Sequence, residues 1–136
     1  MSAPFERRED ATIPALTAAT TGDQIIAEAP FAATVTAVTF TPEAAITGDN
    51  TNTRTLTLQN KGQAGTGTTA VATLAFTTGN NGVAFDEKAF TLSGTPANLA
   101  LAEGDILAVV ETVGGTGLAN PGGRIEVAMS RSNVLT

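Results

Sequence analysis

The 136-residue sequence predicts an all-β domain, and three observations carry that expectation. Thr is as frequent as Ala, at 24 residues each, and its branched Cβ suits a pleated, half-buried surface. From Gln24 onward the apolar residues recur with a period of two rather than 3.6. Clusters of Gly, Asn, Asp and Pro break the chain every eight to fifteen residues or so, at the spacing of short strands and turns. Together they predict a single antiparallel β-sandwich of about seven to eight strands over residues 23–136, jelly-roll or immunoglobulin-like in connectivity.

Residues 1–22 read differently. They follow neither period, Pro4 and Pro14 interrupt them, and Glu6, Arg7, Arg8, Glu9 and Asp10 form a charged run. The expectation is an extended N-terminal arm, a solvated tail in isolation that orders on a neighbour through Phe5, Ile13 and Leu16.

The strands come in order. Gln24–Ala29 is a short apolar segment ending at Pro30. Phe31–Thr41 (FAATVTAVTFT) changes apolar phase between Val35/Ala37 and Val38/Phe40, which predicts a bulge or a bend. Arg54–Asn60 (RTLTLQN) alternates, with Leu56 and Leu58 inward and Thr55, Thr57 and Gln59 outward. After the flexible loop Lys61–Thr68, Thr69–Thr77 places Ala70, Ala72, Leu74 and Phe76 on one face. Asn80-Asn81-Gly82 is a turn signal, since Asn and Gly tolerate positive φ. Ala89–Ser93 is a brief strand carrying Phe90 and Leu92. Ile106–Thr112 (ILAVVET) is apolar on both faces and so central. Arg124–Ser130 alternates Ile125, Val127 and Met129 against polar residues.

Composition then narrows function. The chain has no His, Cys, Trp or Tyr. Without His or Cys there is no serine or cysteine triad of the common kind, no Cys/His zinc site and no disulfide. Only carboxylates, Lys or backbone groups could do chemistry, as in glycosidases, so the expectation is a non-enzyme without cofactor or metal. A net charge of −6 with scattered basic residues argues against nucleic acid and an anionic membrane surface. No apolar run approaches the roughly 20 residues of a membrane span, and the N-terminus lacks a signal-peptide apolar segment. The chain therefore reads as soluble and made in the cytoplasm. Few large hydrophobes predict modest stability alone, with help from oligomerisation or docking.

Four motifs have a chemical reading beside a plain one. Gly65-Thr66-Gly67-Thr68-Thr69-Ala70 has the spacing of a dinucleotide fingerprint, but the stretch after it is patterned as a strand rather than the required helix. Gly114–Gly123 (GGTGLANPGG) lacks the Gly-Lys-Ser/Thr ending of a phosphate loop; it reads as a long connection that could touch a partner through Gly115, Leu118 and Asn120. Asp49 with Asn50 and Asn52 offers too few carboxylates for calcium. Glu103 and Asp105 read as a solvated turn rather than a catalytic pair.

The run TAVTFTPEAAITGDNTNTRTLTLQNKG (residues 36–62), with GTTAVATLAFTTG and AEGDILAVVETVGGTGLANPGGRIEVAM after it, resembles capsid decoration, or cement, proteins of tailed bacteriophages. The similar stretches span roughly residues 31–129 and exclude the arm. The resemblance implies a compact β domain on the outer surface of an icosahedral shell, often a trimer, that binds the major coat protein and stabilises the shell by bridging its subunits. The arm, through Phe5, Arg7, Arg8, Ile13 and Leu16, is expected to dock on coat subunits or neighbouring copies. Two rivals remain: a carbohydrate- or host-binding module, disfavoured by the lack of Trp and Tyr, and a tail-tube or baseplate β-domain, which requires ring or helical self-assembly.

Overall fold

The computed structural model describes residues 5–131 and is all-β, with two antiparallel sheets and no α-helix among the described residues. In chain order the strands are β1 (Glu6–Ile13), β2 (Asp23–Glu28), β3 (Ala33–Pro42), β4 (Thr53–Gly62), β5 (Thr69–Ala75), β6 (Lys88–Ala89), β7 (Thr91–Leu92), β8 (Ala100–Leu101), β9 (Ile106–Gly114) and β10 (Gly123–Arg131). The first sheet runs β1-β10-β3-β6, with β8 also on β3; the second runs β2-β9-β4-β5-β7.

The strands bury the faces that alternation assigns them. Leu56 and Leu58 of β4, Leu107 and Val109 of β9, and Ile125, Val127 and Met129 of β10 are fully enclosed. Inward residues of both sheets feed one hydrophobic cluster. Phe40 of β3 meets Phe76, just past β5, edge-on with ring centroids 6.3 Å apart, a favoured aromatic geometry. β9 is central, flanked by β2 and β4, as its two apolar faces predict.

Phase shifts mark bulges. On β3 the register slips opposite Ala128 and Met129, leaving Thr36 as the extra residue, at the predicted change of phase. A second slip, between Leu58 and Gln59, falls opposite Val71. It turns both Val71 and Ala72 inward and leaves Ala70 exposed. The placement of Ala70 on the core face of β5 is corrected accordingly: an inserted residue inverts the alternation beyond it. The segment predicted as one brief strand over Ala89–Ser93 divides between the sheets, β6 joining β3 and β7 joining β5. Between them Phe90 is buried and its N–H donates to Val38 O at 2.8 Å.

The largest correction concerns the expected arm. Residues 6–13 are not a separate extension; all eight pair with β10 as a terminal strand of the first sheet. Pairing with β10 gives this stretch an order that its own apolar pattern does not signal. Asp10 lies directly opposite Glu126, a like-charge pairing that would oppose the register. Arginines offset it: Arg124 contacts Asp10 at 2.7 Å and Glu126 at 2.6 Å, and Arg8 contacts Glu126 at 3.0 Å. The hydrogen bonds to Glu126 and to Asp10 are the foremost causes that raise the pKa of Arg8 and Arg124, respectively, above the usual guanidinium value.

Candidate functional site

Polar side chains inside the fold are a natural place to look for chemistry, and one network stands out. Arg54 leads the inward face of β4 two residues before Leu56, and its side chain is fully buried. Glu111 lies on β9 directly opposite Leu56, and it too is buried. Arg54 Nη1 donates to Glu111 Oε1 at 2.8 Å, Nε to Leu118 O at 2.5 Å, and Nη2 to Thr17 O and Thr20 O, both at 2.9 Å. Asn120 Nδ2 donates to the same Glu111 oxygen at 2.8 Å, while Asn120 Oδ1 accepts from Gly122 N. Glu111 Oε2 has no partner among the described residues.

The guanidinium therefore ties three pieces of chain together: the 16–20 segment after β1, the β9–β10 loop and the second sheet. Its donors are spent on carbonyls and one carboxylate, so the geometry is that of a brace rather than a reactive group. Sequence reading missed it. The available signal was phase: Arg54 shares a face with Leu56 and Leu58, and Glu111 with Leu107 and Val109, so two opposite charges occupy inward positions.

The remaining polar candidates are similarly committed. Asp105, expected in a solvated turn, is buried instead. Its Oδ2 accepts from Ala102 N at 2.8 Å and from Asn60 Nδ2 at 2.9 Å, fastening the turn to β4. Gly104 in that turn has φ +89°. Asp49 Oδ1 accepts from Thr51 N, Asn50 Oδ1 from Thr78 N, and Asn52 Oδ1 from both Thr116 N and Thr116 Oγ1. The glycine-rich run over 65–70 leads from β4 into β5, its last two residues opening that strand rather than a helix.

The residues predicted to touch a partner separate into two groups. Ile13 is in the core, and Leu16 pairs by backbone with Asn120, at 2.8 Å and 3.0 Å. Leu118 packs against the core and Asn120 is buried. At Gly115 an added Cβ would come within 2.4 Å of Thr51 O; at Gly117 it would strike Ala18 O. The β9–β10 loop is thus folded onto the 16–20 segment. Of the residues expected to form a contact surface there, Leu118 and Asn120 are corrected, since they face inward, while Gly115 is exposed beside the Thr51 backbone. Phe5, Arg7 and Arg8 are exposed at the start of β1. Phe5 stacks on Phe31 at 5.3 Å between centroids, with Arg131 over the Phe31 ring. Arg7 pairs with Glu9 at 2.7 Å.

Two apolar features at the surface had no counterpart in the sequence reading. Val83 and Phe85 project from the loop before β6, 59% and 79% exposed, and Phe85 has φ +60°. On the outer face of the second sheet, Ile25 is 73% exposed beside an open groove of about 480 Å³.

No family model matches the chain, and neither the curated proteins nor the solved structures contain a match to it.

Proposed function

We propose that this chain is a non-enzymatic structural protein of a phage virion, one that binds the outer surface of an icosahedral shell and stabilises it by bridging coat-protein subunits. In this reading the two sheets form a β-sandwich body, and the contact runs along the terminal strand β1. The observation that carries the proposal is the position of that strand. β1 is eight residues long, ends the first sheet, bears Arg7 and Arg8 exposed near its start, and is preceded by the exposed Phe5. A terminal strand offers backbone donors and acceptors to an extended segment of a partner, while its side chains select which segment fits. The commitment of Arg54, Glu111, Asn120 and Asp105 to internal bracing supports a scaffold role over a chemical one. Many copies, each adding a few kcal/mol, stabilise a shell by linkage to the assembled state.

Co-sedimentation with purified, undecorated shells tests this. The wild-type chain is expected to saturate at a fixed ratio to coat protein, and Phe5→Ala/Arg7→Ala, which leaves the Arg8 and Arg124 pairs in place, to bind at least tenfold more weakly while keeping its β-type circular dichroism. Undiminished binding by the folded double variant would remove β1 as the contact, and no binding by the wild type would remove the shell as the partner.

A further inference from the structure

The loop before β6 holds an apolar pair in a conformation that costs energy and brings no burial within the chain. Gly82 is bonded both ways to Ile46, its N–H donating at 2.8 Å and its carbonyl accepting at 3.0 Å. Phe85 N donates to Pro42 O at 2.8 Å, and Asp86 N to Val83 O at 3.1 Å. These bonds hold Phe85 at φ +60° with its ring in solvent. A bulky residue rarely adopts that region, and such strain persists where surrounding structure enforces it, characteristically at binding sites. A rigid aromatic anchor of this kind loses little entropy when it docks.

The same chain carries a receptacle. The groove on the second sheet is floored by Ile106 and Ala108, walled by Ile25 and Gln63, and bordered by Lys61 and Asp23. Lys61 Nζ reaches only Gln59 Oε1, at 2.9 Å, among the described residues. The anchor is followed by Asp86 and Glu87, an acidic flank opposite in sign to the groove's Lys61. Groove and anchor lie at opposite ends of the body. The groove is where β9 begins at Ile106, and the anchor sits at Pro42, which pairs with Gly123 after β9 has ended. A nine-residue strand separates those ends by about 27 Å, so Phe85 cannot fill the groove of its own chain.

We infer that the Val83–Phe85 anchor inserts into the Ile25–Ile106–Ala108 groove of a second copy of this chain, making a contact between copies that is separate from the β1 edge. It does not depend on the shell-binding proposal.

Sedimentation velocity of the wild type, Phe85→Asn and Ile25→Glu, alone and mixed, tests the inference. The wild type is expected to self-associate as concentration rises, and each single variant to remain a monomer. An equimolar mixture of the two is expected to form a one-to-one complex, because one variant retains the anchor and the other the groove. Asn tolerates positive φ, so Phe85→Asn should melt a few degrees higher as an isolated chain while losing association. A wild type that stays monomeric, a single variant that associates like the wild type, or a mixture that forms no complex would each overturn the inference. Loss of shell binding by Phe85→Asn with self-association intact would assign the anchor to coat protein and overturn it equally.

Discussion

Replacing Arg54 by Met leaves Glu111 buried without its cation and strands the carbonyls of Thr17, Thr20 and Leu118. Breaking one partner of a buried pair costs about 3–5 kcal/mol, and that loss is expected in the denaturation free energy of Arg54→Met. Arg54→Lys should recover little of it, since an ammonium cannot span the same fork of acceptors. Adding Glu111→Leu should offset part of the loss, giving a coupling of about 2 kcal/mol in a double-mutant cycle. Independent, additive effects would show that the two side chains do not act as one brace. This pair was half legible: inward phase marked both residues, but their meeting depends on the register between β4 and β9, which no local pattern encodes. Phe85 was not legible, because a positive φ at a bulky residue is imposed by partners at Pro42 and Ile46, remote in sequence.

Strand β1 and the segment after it decide how far the chain can be trimmed. Deleting residues 2–20 removes β1, core residue Ile13 and two of the carbonyls that receive Arg54. The truncated chain is expected to lose its cooperative thermal transition; a sharp transition within a few degrees of the wild type would restore the view of an independent arm. A milder probe acts at the other side of this junction. Gly117 has φ +83°, and a Cβ there would overlap Ala18 O. Gly117→Ala should destabilise by about 2 kcal/mol or more, read from urea denaturation, and should speed amide exchange at residues 16–20. β1 escaped sequence reading because ERREDAT has charges at both phases. Its order comes from pairing with β10, where Arg8 and Arg124 hold together carboxylates that would otherwise repel. The strands with clean alternation, β4 and β10, were legible because one face of each is buried.

Across the whole molecule, the all-β class and the longer strands β2, β3, β4, β5, β9 and β10 came from period and turn spacing alone, whereas β8 was not foreseen and β6 and β7 were read as one strand. How the strands divide between two sheets did not, because pairing is a long-range choice: β10 lies between β1 and β3, and β9 between β2 and β4. The glycine-rich loops were visible as loops, yet the packing of the β9–β10 loop against the 16–20 segment was not. With interior polar groups acting as braces, the contacts we propose fall to the surface, at the β1 edge for coat protein and at Phe85 for a second copy. Cryo-electron microscopy of the purified protein added to undecorated shells tests this most directly. Added density is expected at regular positions on the outer surface, with the β1 edge against the coat. Bare shells at saturating protein, or rings and tubes formed apart from them, would contradict it.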